Sequence, residues 1–212
     1  MTAERVAAQA RAFDQIGEKY DEAFPHKEGQ IEAVEWLLPR LPPDARILDV
    51  GCGTGVPTAR ALTAAGHRVS GIDISPVMIE LARTNVPEAD FTVADILDVP
   101  IDPGMFDAAT AFFSLLMLPR ADIPKALATL HEAIAPAGHL LLGMVEADLD
   151  DTPIPFVGHT IRVSGYPTNE LASVVTKAGF TIEHQKTKTY EPVAESAPPE
   201  TQQFLYCHRD LS

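Results

Sequence analysis

The stretch Ile47–Gly55, which reads Ile-Leu-Asp-Val-Gly-Cys-Gly-Thr-Gly, constrains the fold more than any other part of the chain. The apolar run 46–50 has the length and composition of a buried strand. Three glycines follow at alternate positions from Gly51 to Gly55, which permits a tight turn and lets a ligand approach the backbone closely. Pro57 then stands where the first turn of a helix often begins. A strand, a glycine turn and a helix in this order predict a nucleotide site at the edge of an α/β sheet.

Strands and helices alternate along the middle of the chain. The hydrophobic pattern predicts strands near 46–50, 68–73, 90–94, 106–113 and 139–145, with helices near 57–65, 76–84 and 122–135. Alternation of this kind is typical of a parallel sheet with helices on both of its faces.

The segments on either side of this core have a different character. Residues 4–24 have the hydrophobic spacing of a helix. Because Gly17 interrupts the pattern, they could form one helix or two short ones. The apolar residues of 30–38 predict another helix. Residues 148–155 are acidic and contain proline, which predicts a loop. A helix at 168–178 then precedes strands near 180–188 and 201–207, which a turn at 191–200 would join into a hairpin.

We therefore predict one domain, 1–212, with a Rossmann-like, doubly wound, seven-stranded sheet. The sheet is mostly parallel and includes an antiparallel strand of the C-terminal hairpin. Its expected parts are an N-terminal helical lid (1–40), a ligand-binding core (44–145), an acceptor-site loop (146–167) and a C-terminal helix and hairpin (168–212).

Composition excludes several classes of protein. The 212 residues are 46% hydrophobic, which suits a single domain with a substantial core. The net charge of −14 disfavours nucleic acid and anionic membranes as partners.

The sequence also lacks the signals of a secreted or membrane-spanning protein. Cys52 and Cys207 do not suggest a disulfide framework, and Met1–Gln9 lacks the apolar core of a signal peptide. No apolar run reaches the roughly 18 residues of a membrane span. We expect a cytoplasmic protein, and no metal, because no cluster has metal-ligand spacing.

Two acidic residues follow the next two predicted strands. Asp73 stands eighteen residues after Gly55, where a carboxylate can accept both hydroxyls of a ribose. Asp95 could accept a hydrogen bond from an exocyclic adenine amine. Either carboxylate could instead cap a local turn. A dinucleotide dehydrogenase is a further possibility, but its fingerprint is Gly-x-Gly-x-x-Gly, and Val56 occupies the last glycine position. The sequence therefore disfavours that class of enzyme.

These motifs resemble those of the class I S-adenosylmethionine-dependent methyltransferases. The resemblance covers about residues 44–145. It is carried by the ordered segments 48–55, 71–75, 94–95, 106–109 and 130–140. It implies S-adenosyl-L-methionine as the cofactor and S-adenosyl-L-homocysteine as its product. Met117 departs from the family, whose members often have His at this position, and the usual Gly before Gly138 is Ala137.

The resemblance also implies roles for individual residues. Asp49 would face the methionine end of the cofactor, Asp73 the ribose and Asp95 the adenine. Tyr20 is a candidate for an aromatic residue over the methyl site, although it could equally be a packing residue. The implied cofactor-binding residues are Tyr20, Asp49, Gly51, Cys52, Gly53, Gly55, Asp73, Ile74, Met78, Asp95, Ile96, Ala111 and Phe112.

The acceptor pocket is expected to form from the N-terminal helix, the end of the fourth strand and residues 144–167. Its candidate residues are Phe113, Met117, Met144, Phe156, His159, Ile161, Arg162 and Tyr166. They are largely apolar, which suits a small apolar or aromatic metabolite of a biosynthetic pathway. Arg162 could meet an anionic group or be an exposed loop charge.

No catalytic residue is assigned. His26 and His159 are candidates for a base, which is needed only if the acceptor must lose a proton. O-methylation is favoured only because it is common, and N- and C-methylation stay open. The alternative function is an S-adenosylmethionine-binding regulatory or partner protein without methyl transfer. A monomer and a homodimer are both compatible with the sequence.

Overall fold

The computed structural model describes residues 2–23, 25–191 and 199–211. Seven strands form one sheet in the order β3-β2-β1-β4-β5-β9-β8, and two more, β6 and β7, form a separate hairpin. The strands are β1 (Arg46–Val50), β2 (Arg68–Asp73), β3 (Asp90–Val93), β4 (Phe106–Phe112), β5 (Ile134–Val145), β6 (Leu149–Phe156), β7 (His159–Gly165), β8 (Phe180–Tyr190) and β9 (Glu200–Arg209). Strand β9 is antiparallel to both of its neighbours, whereas β1 to β5 are parallel. The predicted Rossmann-like, mostly parallel sheet is confirmed.

Helices flank the sheet in the predicted alternation. They are α1 (Ala3–Ile16), α2 (Lys19–Ala23), α3 (Glu28–Leu37), α4 (Thr58–Ala64), α5 (Pro76–Asn85), α6 (Ile123–Ala133) and α7 (Thr168–Lys177). The N-terminal pattern resolves into two helices because Gly17, at φ +50°, caps α1 in a conformation that side chains disfavour. None of the helices among the described residues has the length and apolar character needed to cross a membrane.

The two faces of the sheet bury separate apolar clusters. Adjacent residues of β1 show the division, because Ile47 packs with α3, α4 and α5 whereas Leu48 packs with α6 and α7. This alternation is the period of two that a strand requires. Both faces are therefore covered, and the carboxyl edge of the sheet is left to form a site.

The acidic segment 148–155 is not a loop, and that prediction is wrong. It forms most of β6, which pairs with β7 so that Ile154 lies opposite Ile161. Pro153 and Pro155 obscured the strand pattern, but proline is compatible with an edge strand, and in a two-stranded sheet each strand is an edge. The predicted turn at 191–200 lies mostly outside the described residues, which resume at 199.

Candidate functional site

Two cavities meet at the carboxyl edge of β1, β2 and β4. The smaller cavity has a volume of about 90 Å³ and the larger one about 360 Å³. The residues that line both are Tyr20, Gly51, Gly53, Phe112, Phe113 and Met117. The glycine turn therefore lies at the junction of the two cavities.

The glycine turn is held close to its neighbours. A Cβ on Gly51 would lie 2.2 Å from Ser114 Cβ, and Gly51 also has φ +65°. The Gly53 N–H donates to Asp73 Oδ2 at 3.0 Å, which ties the turn to the end of β2. Only glycine satisfies both the conformation and the spacing at residue 51. The backbone here is consequently open to close approach from the cavity.

Within the part of the chain that the structure describes, Asp49 has a buried carboxylate oxygen without a partner. The residue is 3% exposed and lines the larger cavity. Its Oδ1 accepts a hydrogen bond from Thr110 Oγ1 at 2.6 Å, whereas its Oδ2 has no partner among the described residues. Burial raises the pKa of Asp49 to about 6. A buried acceptor of this kind requires an explanation, and a cationic ligand group supplies one.

Asp73 and Asp95 line the smaller cavity. Asp73 Oδ1 accepts from the Ser75 N–H at 2.9 Å, and burial raises the pKa of Asp73 to about 6. Asp95 Oδ1 accepts from the Leu97 N–H at 3.0 Å. Both carboxylates therefore cap local turns, as the alternative interpretation held, and both also face the cavity. The rest of its wall includes apolar side chains, namely Ile74, Met78 and Ile96.

The N-terminal helices cover this edge through polar contacts. Asp21 Oδ2 accepts from Thr54 Oγ1 at 2.8 Å, and Asp21 also pairs with Lys27. Asp14 Oδ1 accepts from Ser75 Oγ at 2.6 Å at the start of α5. Tyr20, between these contacts, has a raised pKa because of burial and the carboxylates around it. The N-terminal segment is thus attached to the glycine turn itself.

The lining of the larger cavity is part apolar and part polar. The β6–β7 hairpin supplies an apolar wall from Leu149, Ile154, Phe156, Ile161 and Val163. Other elements supply polar side chains to the lining, among them His26, Gln30, Glu200 and Gln202. His26 is stacked on Tyr190 with ring centroids 4.4 Å apart. Cys52 also borders this cavity, as a buried free thiol.

Six predicted site residues do not line either cavity: Gly55, Ala111, Met144, His159, Arg162 and Tyr166. A Cβ on Gly55 would face Val86 and Phe91, so this glycine serves packing. Ala111 and Met144 are fully buried in the core cluster that packs against α6 and α7.

The other three of these residues belong to the β6–β7 hairpin or follow it. His159 lies opposite Phe156, where β6 turns into β7. Arg162 pairs with Asp151, as the exposed-charge interpretation held. Tyr166 carries the Arg120 guanidinium over its ring and donates its hydroxyl to Arg120 O.

The sequence interpretation missed Glu200 and Gln202. The signal was available in β9, where residues 200, 202 and 204 share one face and the two polar ones precede the apolar stretch Phe204–Cys207. Among the described residues, no group of three or more His, Cys, Asp or Glu side chains is arranged to hold a metal ion.

Comparisons with known proteins are consistent with this geometry. Residues 47–138 match a family model described as a methyltransferase domain. The chain is 30% identical over 182 residues to demethylmenaquinone methyltransferase of Thermus thermophilus, an alignment covering 72% of this chain and 81% of that protein. It is also 30% identical over 145 residues to the O-methyltransferase cnsE of Penicillium expansum, covering 64% of this chain and 52% of the relative. The chain thus spans about half of one relative and four fifths of the other.

A solved structure shares the fold. It is the 1,6-didemethyltoxoflavin-N1-methyltransferase of Burkholderia thailandensis, which contains bound 1,6-didemethyltoxoflavin and S-adenosylhomocysteine. The TM-score is 0.74 at 19% identity, covering 99% of this chain and 92% of that one. At this identity the likeness concerns the fold alone.

Proposed function

The chain belongs to the class I S-adenosylmethionine-dependent methyltransferases, whose cofactor is S-adenosylmethionine, and from that premise we propose that it methylates a small, partly apolar metabolite. The observation that carries the cofactor part of the proposal is the buried Asp49 Oδ2 beside the glycine turn, which has no partner among the described residues. In this assignment 44–145 binds the cofactor, 1–40 is the lid, 146–167 contributes to the acceptor site, and 168–212 completes the sheet.

The polar groups at the sheet edge fit S-adenosylmethionine. That molecule offers an ammonium, a ribose diol and an adenine amine as hydrogen-bond donors. Asp49, Asp73 and Asp95 are three acceptors at or just after the ends of β1, β2 and β3. We assign Asp49 to the ammonium, Asp73 to the ribose and Asp95 to the amine, with the apolar wall beside the adenine. The carboxylates of Asp49 and Asp73 also complement the positive charge of the cofactor.

When bound, the cofactor supplies an electrophilic methyl group on a sulfonium, and the leaving group is the neutral thioether of S-adenosylhomocysteine. The chain has to hold an acceptor in line with that methyl group and keep water out, and positioning alone can supply much of the rate. Tyr20, Phe112, Phe113 and Met117 border both cavities, so they are suited to enclose the passage between them. Of the two candidate bases, His26 lines the larger cavity and His159 does not.

The acceptor is proposed from the shape and lining of the larger cavity. A volume of about 360 Å³ with an apolar wall from β6 and β7 suits a small molecule. O-methylation is the favoured chemistry because the relative cnsE is named an O-methyltransferase. Among the described residues of the site, no side chain favours an oxygen acceptor over a nitrogen or carbon acceptor. The alternative, a cofactor-binding regulatory protein, would bind the cofactor and transfer nothing.

The test combines binding and transfer. Calorimetry should detect S-adenosylhomocysteine binding to the purified protein, and Asp49→Ala should weaken it strongly. Incubation with methyl-labelled S-adenosylmethionine and a small-molecule extract should move label into a low-molecular-mass product. Binding without transfer to any extract would favour the regulatory alternative. Label found only in protein or nucleic acid would contradict a metabolite acceptor.

A further inference from the structure

Among the described residues, Gln202 carries another buried acceptor without a partner, and it lies on the acceptor side of the site. The residue is 5% exposed and lines the larger cavity. Its Nε2 donates to Glu200 Oε1 at 2.8 Å, whereas its Oε1 has no partner among the described residues. The contact with a carboxylate determines which end of the amide is nitrogen, because only nitrogen can donate there. The unpaired atom is therefore the oxygen.

The register of β9 places this side chain on the cavity side of the sheet. Gln202 lies opposite Val145, which lines the same cavity. Phe204, two residues on and on the same face, has its ring 5.8 Å from that of Phe113 at the junction of the cavities. Gln203 points to the opposite face, where its Nε2 donates to Tyr166 O. Its Oε1 is likewise without a partner among the described residues, but Gln203 lines neither cavity, whereas Gln202 does. Gln202 is thus two residues along β9 from Phe204, which packs against Phe113 at the junction of the cavities.

The charged groups around Gln202 restrict what it can receive. Glu200 beside it is acidic, and Asp49 lines the same cavity. Lys27 also lines the cavity, but its ammonium is paired with Asp21. His26 Nδ1 lies 4.0 Å from Glu28 Oε2, so this side chain is also near an acidic partner. A ligand carboxylate would face acceptor oxygens in a confined site, which is unfavourable.

Resting on the proposed function, we propose that Gln202 is a specificity determinant that accepts a hydrogen bond from a hydroxyl or amine of an apolar acceptor. In this arrangement Gln202 and Glu200 select donors and exclude carboxylate acceptors. The hairpin wall holds the apolar body of the molecule, and the amide oxygen orients its polar end. A site with a buried polar group discriminates strongly against analogues that leave the group unpaired.

The experiment uses three probes that differ only in the polar end: β-naphthol, its methyl ether and β-naphthoate. Each is titrated calorimetrically into the wild-type protein saturated with S-adenosylhomocysteine. Naphthol should bind about tenfold more tightly than the ether, the size expected for one paired buried acceptor. Naphthoate should bind most weakly. A preference for naphthoate, equal binding of naphthol and ether, or no binding by any probe would each overturn the assignment.

Two variants locate the effect. Gln202→Leu should bring the ratio of naphthol to ether affinity close to one. Gln203→Leu is the matched control, since it removes a neighbouring buried amide whose oxygen is also unpartnered among the described residues but which faces away from the cavity. Its ratio should equal that of the wild type. Equal losses in both variants would overturn the proposal. If Gln202→Leu fails to fold, the wild-type ranking decides alone.

Binding of S-adenosylhomocysteine is measured first, so the two proposals can fail separately. Its failure to bind wild-type protein would overturn the proposed function. The ranking of probes on the ligand-free protein would then still judge the role of Gln202.

Discussion

Replacing Asp49 by Asn should stabilise the free protein and weaken its ligand binding, because the same buried charge has opposite effects on the two. The substitution preserves the shape of the side chain and leaves an oxygen to accept from Thr110 Oγ1. It removes the negative charge from a residue that is 3% exposed. Two things change: the negative charge is lost, and an amide NH2 group takes the place of the unpartnered oxygen.

The magnitude follows from the pKa of Asp49, which burial raises from 3.8 to about 6. At roughly 1.36 kcal/mol per pKa unit, the ionised carboxylate costs the folded state about 3 kcal/mol. The folded state binds the proton more tightly than the unfolded state, so stability falls as pH rises between these values. The cost is absent below pH 3.8 and complete above about 6. Asp49→Asn should therefore raise the free energy of unfolding by up to about 3 kcal/mol at neutral pH.

The effect on ligand binding has the opposite sign. If Asp49 receives the ammonium of S-adenosylhomocysteine, its loss should cost about 1.5–3 kcal/mol, or roughly ten- to hundredfold in affinity. Wild-type affinity should also fall as pH drops through about 6, where Asp49 and Asp73 become protonated. The variant should retain only the part of this pH dependence that comes from Asp73.

Denaturant unfolding of the free protein and calorimetry with S-adenosylhomocysteine measure the two effects. Asp107→Asn is the matched control, since Asp107 is a strand residue whose carboxylate accepts from the Arg46 N–H at 2.8 Å and does not line the cavities. It should lower stability and leave ligand affinity unchanged. The reasoning is refuted if Asp49→Asn unfolds more easily than wild type at neutral pH, or binds the ligand equally well.

Other substitutions around the glycine turn should have separable effects. Gly51→Ala should abolish S-adenosylhomocysteine binding, because its Cβ would lie 2.2 Å from Ser114 Cβ. Gly66→Ala, at φ +89° with nothing within 4 Å of its Cβ, should lose about 1 kcal/mol of stability and retain affinity, as calorimetry can show. Asp21→Ala removes the contact with Thr54, so amide exchange in α2 and dissociation of the ligand should both become several-fold faster. Unchanged exchange in α2 would contradict a role for Asp21 in holding the lid.

The half of the candidate site that we assign to the cofactor could be predicted because its signals are local. Asp49, the glycine turn and Asp73 each follow directly from the end of a strand, and parallel strands bring their carboxyl ends together. Nothing beyond strand order is needed to predict that these side chains are neighbours. The roles of Ala111 and Gly55 were harder to predict, since strand-end position alone does not show whether a small residue faces the cavity or the core.

The acceptor half could not be predicted to the same extent because tertiary pairing assembles it. The hairpin at 149–165 is stabilised by pairing between two edge strands, one of which contains two prolines. Two residues of α1 attach it: Gln9 forms hydrogen bonds with the backbone of Arg162, and Arg5 pairs with Asp151. Both contacts join residues about 150 positions apart, 153 for Gln9 and 146 for Arg5. No local pattern in the sequence reports such contacts. The prediction of an apolar pocket was nevertheless possible, since it needs only the composition of 144–167.

The contrast between the two halves follows from how β9 enters the sheet. An antiparallel strand between β5 and β8 brings its first residues, not its last, to the edge where the parallel strands end. A search for functional residues at strand ends therefore overlooks Glu200 and Gln202, although both line the larger cavity. In this topology, polar residues at the start of the antiparallel strand lie at the same edge as acidic residues at the ends of the parallel ones. Substituting Gln202 should accordingly change which acceptor is preferred, whereas substituting Asp49 should change how tightly the cofactor binds.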